Sequence, residues 1–433
     1  MNPAREYAAR SSSIDAALAH IRSGMKVVTG LGAMESRGLM ENLHTIADRV
    51  TDVSVYTCLN MDRYPWYAGD GADGSFVNRS WFFNTGQRQI VADGSRSVSF
   101  VPNNLHTAGT DLISDGHVDI FWGMASPMDR SGHLSLSLSA TYERDILDNA
   151  DTVIIEVNER APRTFGDTVM NITETDLVYE NSYDLPQLHP SEPSQVDELI
   201  AEHLVHEIPD GATVQIGIGG IPNAMTRFLR EKRDLGIHTE MLTEGMVELY
   251  KDGVITNRRK NFHRGRIVCT FALGTRKMYD FVDDNPCIEF LRGSWFNAPY
   301  VTAHNVAMVS VNTAIAVDLM GNVCSESLGP RQYSGTGGQL DTHRGAVMSR
   351  GGKGIIALRS TVKGGTISTI VPTHLQGSAY TIPRQDVDHV VTEYGITKLR
   401  GRSLSERARS LIGIAHPDFR ERLETKAREL GII

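Results

Sequence analysis

Three glutamates stand four residues apart in IHTEMLTEGMVEL: Glu240, Glu244 and Glu248. Carboxylates at i, i+4 and i+8 share one helical face, and such a stripe is ordinarily the wet side of a helix. Glu240, however, follows His238 and Thr239 at the end of a predicted strand, so the stripe begins only after it. Glu244 and Glu248 read as helix-start or surface acids. Glu240 is left outside that stripe, as the one carboxylate of the three that the plain reading does not cover.

Two glycine-rich stretches could receive an anion. GIGGIPNA, Gly217 to Ala224, places glycines ahead of a helix, where backbone N–H groups can approach an anion. It is close to the dinucleotide fingerprint, and Glu240 lies where a ribose-binding acid would stand, so an NAD enzyme is a rival reading. Against that rival, Pro222 occupies the third fingerprint position and reads as the first residue of a helix. SGTGGQLD, Ser334 to Asp341, offers the N–H groups around Gly335, Gly337 and Gly338 and the Gln339 amide as an oxyanion hole, or equally a tight loop of positive-φ glycines. Lys363 in STVKGGTIS reads either as a phosphate contact or as a solvated loop lysine. No Walker loop and no G-x-S-x-G elbow occurs. His203 and His206 lack acidic or cysteine partners in register, so no metal site is expected.

The elements that must position these groups show themselves as echoes between two halves. GMKVVTGLG (from Gly24) matches GATVQIGIG (from Gly211) as strand, glycine turn and helix. MDRSGHLSLS (from Met128) is echoed by VDLMGNVCSES (from Val317), and ADTVIIEVNE by VDHVVTEYGI, with Asp151 to Glu156 answering Asp388 to Glu393. Two related α/β domains follow, an internal duplication over 1–185 and 190–433. The break is the proline-rich YDLPQLHPSEPS. Strands such as TVIIEV and GIIAL are apolar without alternation, which suits a largely parallel sheet flanked by helices on both faces. Ser194 with Asp197 should cap a helix whose buried stripe is Leu199, Ile200, His203 and Leu204. Pro417 should open a last helix lined by Phe419, Leu423, Ala427 and Leu430. Between the second and third echoes the C-terminal half carries ESLGPRQYSGTGGQLDTHRGAVMSRGGKG, read as an insertion that the first half lacks.

Composition excludes several classes. A net charge of −9 over 433 residues argues against a partner held by phosphate contacts along nucleic acid. Cys58, Cys269, Cys287 and Cys324 form no C-x-x-C pair and read as reduced thiols of a cytoplasmic protein. No secretory leader and no transmembrane stretch is expected.

Taken in order, GIGGIPNA, IHTEML, HNVAMVSVNTAIAVDLMGNV, SGTGGQLD with its following RGA, and VVTEYGITKLRG resemble the acetyl-CoA hydrolase/transferase family, the class I CoA-transferases. The likeness is greatest to the 4-hydroxybutyrate or butyrate CoA-transferase branch, and itaconate CoA-transferases are similar. The resemblance implies that Glu240 is the nucleophile, with Gly338 and Gln339 beside it and Glu393 as a second active-site carboxylate. It implies that coenzyme A, a substrate rather than a resident cofactor, is contacted by Gln215, Ile216, Gly217, Ile218, Gly219, Gly220, Ile221, Asn312, Gly335, Gly337 and Lys363. It further implies small carboxylates as co-substrates, and a homodimer. Acyl-CoA hydrolysis through the same glutamate is the alternative. A carboxylate with its reference pKa near 4.3 is ionised at neutral pH but a poor nucleophile, so the surroundings must assist it.

Overall fold

A computed structural model describes residues 2–68 and 74–433. Its chain falls into two compact units, Met1–Leu188 with Val268–Phe296, and His189–Ile267 with Asn297–Ile433. One change of unit lies in the proline-rich stretch. The return of Val268–Phe296 to the first unit makes both units discontinuous, where the sequence suggests a single break.

The first unit holds a seven-stranded sheet. In spatial order its strands are Leu177–Glu180, Ala150–Val157, Val118–Ala125, Lys26–Thr29, Val53–Thr57, Phe76–Ser80 and Val98–Phe100. Every neighbouring pair is parallel. The long strands are buried almost throughout, as their unbroken apolar runs require. Trp66, Trp122, Phe76 and Tyr67 fill the core beneath them.

In the second unit, the strands run Gly395–Lys398, His389–Thr392, Lys353–Ala357, Met308–Thr313, Thr213–Ile216 and Gly236–Leu242. All pairs are parallel except the hairpin that closes the edge, in which Glu393 and Tyr394 form the two-residue turn between Thr392 and Gly395. In both units the strand that leads into the glycine turn, Lys26–Thr29 or Thr213–Ile216, lies between the next strand in sequence and a later one. Strand order reverses there, and ligands of open α/β sheets collect at the carboxyl ends beside such a reversal.

Sheet position corrects the third echo. Ala150–Val157 lies two places from the Lys26–Thr29 strand, whereas His389–Thr392 lies three places from Thr213–Ile216. The corresponding place in the second unit belongs to Lys353–Ala357, which follows helix Gln339–Met348 as Ala150–Val157 follows helix Glu143–Leu147. Much of the stretch read as an insertion is therefore a helix and strand that the first half also has. The echo reflects shared burial, because covered parallel strands draw on the same Val and Ile vocabulary.

Helix termini follow local chemistry closely. Ser194 and Asp197 form a capping box at the start of Gln195–His206. The buried stripe is Ile200, Ala201, Leu204 and Val205, rotated from the expected one, and Leu199 is exposed. Pro417 is the first residue of Pro417–Glu429, where Leu423 and Ala427 are buried, Phe419 is partly so, and Leu430 is exposed. Glu244 opens helix Glu244–Lys251, and Glu248 reaches Arg230 at 3.5 Å. Both acids keep the plain reading.

Candidate active site

Glu240 lies within strand Gly236–Leu242, close to its carboxyl end. That strand pairs with Thr213–Ile216 at a constant offset, Thr213 to Gly236 and Val214 to Ile237. The same offset sets Glu240 level with Gly217, where the neighbouring strand has already turned away. On the other side, Ile216 pairs with Val311, which brings Asn312 to the same rim. A polar net runs along it. Ser310 Oγ donates to Gln215 Oε1 at 2.6 Å, and Asn312 Nδ2 reaches Ser310 Oγ at 3.1 Å and Thr342 Oγ1 at 3.3 Å. Thr342 Oγ1 in turn donates to the Gly338 carbonyl at 3.0 Å.

Gly338 is the N-cap of helix Gln339–Met348, and its backbone lies against Glu240. Here glycine is a steric necessity. A Cβ at 338 would stand 2.0 Å from Glu240 Oε2 and 2.1 Å from Asn297 Nδ2. Asn297 Nδ2 donates to the same Oε2 at 3.2 Å, from a fully buried side chain. The Asn297 Oδ1 has no hydrogen-bond partner among the described residues. Glu240 itself is half-buried.

These surroundings raise the Glu240 carboxyl from its ordinary value to about 7. Burial is the largest cause. The Asn297 and Gly338 hydrogen bonds pull the other way, and Asp341 nearby adds to the rise. Its surroundings thus bring the carboxyl near neutrality, well above its reference value. When ionised it is a markedly stronger base than an ordinary carboxylate. One amide donor, Asn297 Nδ2, holds Glu240 Oε2, and the Gly338 backbone stands against the same oxygen.

Other expected residues lie in different settings. The Gln339 side chain donates to the Thr313 carbonyl at 3.2 Å, so its amide is engaged away from Glu240. Gly335 is buried and Gly337 adopts φ 56 in the loop ahead of Gly338. Gly217 to Ile221 form the turn into helix Gly220–Leu229, with Ile218 exposed and Ile221 buried. Pro222 is the third helical residue and not the first, because Gly219 at φ 113 lets the chain turn early. Proline is tolerated there because first-turn N–H groups have no intrahelical partner. Lys363 is exposed at φ 51, in the turn between Thr361–Val362 and Ile367–Ser368. Glu393 accepts from Ser360 N at 2.9 Å and Ser360 Oγ at 2.5 Å. The four cysteines are free, and three are buried. His206 Nδ1 is taken by the Glu202 carbonyl.

Sequence reasoning missed Asn297, which no spacing links to Glu240. It also missed the buried acids of the first unit. Glu35 accepts from Tyr64 Oη, from Asn60 Nδ2 at 2.9 Å and from Met61 N at 3.1 Å, yet burial still lifts it to about 7. Glu156 accepts from the Ser36, Tyr179 and Tyr183 hydroxyls and from Arg37 N and Gly38 N. Alternation could not flag either, because their donors come from distant parts of the chain.

Comparison with known proteins gives a consistent picture. A profile of the acetyl-CoA hydrolase/transferase N-terminal domain matches residues 1–185, and one of the C-terminal domain matches residues 274–427. The chain is 40% identical over 433 residues to succinyl-CoA:cyclohexane-1-carboxylate CoA transferase of Geobacter metallireducens, covering 99% of this chain and 97% of that protein. It is 47% identical over 306 residues to 4-hydroxybutyrate coenzyme A transferase of Clostridium kluyveri, 71% of each. The crystal structure of RipA from Yersinia pestis matches it at a TM-score of 0.94 and 35% identity, over the whole of both chains.

Proposed function

This chain belongs to the acetyl-CoA hydrolase/transferase family, and we propose that it moves coenzyme A from an acyl-CoA to a short carboxylate through Glu240. The observation that carries the proposal is Glu240 at the sheet rim, its carboxyl raised, held by the Asn297 amide and closely approached by Gly338. A Glu240 oxygen attacks the acyl carbon, the C–S bond breaks, and CoA leaves as thiolate. The thiolate then attacks Cδ of Glu240, the Cδ–O bond of the anhydride breaks, and the first carboxylate departs with that oxygen, leaving a glutamyl-CoA thioester. The acceptor carboxylate runs the same steps in reverse.

The Gly338 N–H and Asn297 amide stabilise the oxyanion on the glutamyl carbon, where one donor is worth on the order of 3 kcal/mol. Carboxylates such as acetate, butyrate, 4-hydroxybutyrate, succinate or itaconate are the co-substrates of this reading. Gln215 to Ile221, Asn312, Gly335, Gly337 and Lys363 hold the CoA moiety, and Glu393 is a second carboxylate of the site. No helix among the described residues is long and apolar enough to cross a membrane, and we take the enzyme to be a cytoplasmic homodimer with CoA as substrate.

Intact-protein mass after exposure to acyl-CoA tests the assignment. A CoA adduct should map to Glu240 and be missing in Glu240→Ala. An unlabelled protein, or an adduct on a cysteine, refutes it. Release of CoA at the same rate with and without acetate would replace transfer by hydrolysis.

A further inference from the structure

Arg359 follows strand Lys353–Ala357 in the second unit, and its side chain is 49% exposed. Even so, its guanidinium is held rigidly. Nε donates to Asp197 Oδ1 at 2.8 Å and Nη2 to Asp197 Oδ2 at 2.7 Å, a side-on bidentate pair. Asp197 is buried, with its side chain only 1% exposed, and it also accepts from Ser194 N at 2.9 Å and Ser194 Oγ at 2.8 Å. A carboxylate already capping a helix with two donors has much of its hydrogen-bonding capacity met. Pairing with Asp197 uses two of the five guanidinium N–H groups and leaves the Nη1–Nη2 edge for another acceptor.

The position of that edge is specific. Nη2 stands 3.3 Å from where a Cβ on Gly220 would be, so the guanidinium lies against the first residue of helix Gly220–Leu229. Gly219 just before it has open space on its Cβ side, with nothing within 4 Å. Arg359 is also linked to the second expected carboxylate, since its chain neighbour Ser360 holds Glu393. A fixed cation, a helix start and a side-chain-free approach thus meet beyond the carboxyl end of Thr213–Ile216, the strand next to the one that carries Glu240.

Building on the CoA reading above, we propose that Arg359 is a specificity-determining residue that recognises a phosphate group of coenzyme A, and that Asp197 is the positioning residue that aims it. Arg359 thereby separates acyl-CoA from phosphate-free thioesters of the same acyl group. The side-on pair with Asp197 fixes the plane of the guanidinium, and the phosphate takes the outer edge in the bidentate manner that lysine cannot reproduce.

The test uses full-length protein and its Arg359→Gln and Arg359→Lys variants. Each is assayed with acyl-CoA and with the matching acyl-pantetheine, and each is titrated calorimetrically with CoA, dephospho-CoA and pantetheine. Arg359→Gln should raise KM for acyl-CoA by about 10- to 100-fold, with kcat within about 2-fold. Acyl-pantetheine kinetics should stay unchanged, and the lysine variant should fall between. Dephospho-CoA binding like CoA identifies the pyrophosphate as the group held; binding like pantetheine identifies the 3′-phosphate. Equal losses on acyl-CoA and acyl-pantetheine, or no loss on either, overturn the proposal and leave Arg359 as a structural partner of Asp197. A wild-type protein without transferase activity would refute the functional reading alone, because the calorimetric contrast between CoA and pantetheine still reports on Arg359.

Discussion

Replacing Gly338 by alanine isolates the steric demand at Glu240. The backbone there has φ −96 and ψ 17, open to any L-residue, so the substitution adds a methyl group without backbone strain. That methyl carbon would stand 2.0 Å from Glu240 Oε2 and 2.1 Å from Asn297 Nδ2. A Cβ essentially never comes closer than about 3 Å to another heavy atom, so both groups must retreat by about 1 Å. The Asn297 to Glu240 bond starts at 3.2 Å and has no length to spare. A misplacement of about 1 Å costs on the order of 100-fold, and a lost oxyanion donor costs about as much again. Gly338→Ala should therefore lower kcat at least about 100-fold, with KM for acyl-CoA moved by less than about 3-fold. Overpacking of this kind costs about 1 to 3 kcal/mol, which a folded protein of this size tolerates. Steady-state transfer, paired with single-turnover CoA labelling of Glu240 followed by intact mass, provides the assay. A variant within about 3-fold of wild type, labelled at the normal rate, would show that the close approach of Gly338 has no bearing on the nucleophile.

Three further predictions rest on the same structure. Attack needs ionised Glu240, so kcat/KM should rise with pH through about 7 and level off above it; Asn297→Ala removes a bond that lowers this value, so it should shift the acid limb upward and reduce kcat by about 10- to 100-fold, while an unmoved limb would detach Asn297 from the carboxyl. Glu35 binds its proton more tightly folded than unfolded, from 4.5 up to about 7, so its stabilising contribution is complete below about pH 4.5 and disappears as pH rises through 7. That amounts to about 3 kcal/mol, and chemical denaturation of Glu35→Gln should show a flatter stability–pH curve between those limits. Glu240→Asp should keep the thermal midpoint of the parent but lose most transfer, because the shorter side chain withdraws the nucleophile by about 1 Å or more; unchanged turnover would disqualify Glu240.

Local chemistry was the most legible part of the chain. The Ser194 cap, the Pro417 helix start and the strand ending near Glu240 depend on neighbours in sequence, and they stand where the sequence places them. The parallel sheets were legible because strands covered on both faces lose their alternation. Which covered strand occupies which place was not, since Ala150–Val157 and His389–Thr392 read alike but differ by one position in their sheets. Helix faces erred by a single step, as the exposed Leu199 and Leu430 show. One apolar residue at the edge of a stripe costs too little to fix its rotation. Asn297 and Arg359 were invisible for another reason. Their partners, Glu240 and Asp197, are brought to them by tertiary packing across long stretches of chain, and no periodicity records that.

The interleaving of the two units bears on how the chain is made. Val268–Phe296 belongs to the first unit but is synthesised after His189–Ile267, which belongs to the second. At roughly 5 to 20 residues per second, the first 188 residues must wait several seconds or more on the ribosome before their remaining segment emerges. All seven strands of the first sheet have been made by then, and the unit awaits only Val268–Phe296. Splitting the gene at residue 188 would separate the first fragment from Val268–Phe296, which belongs to the same unit.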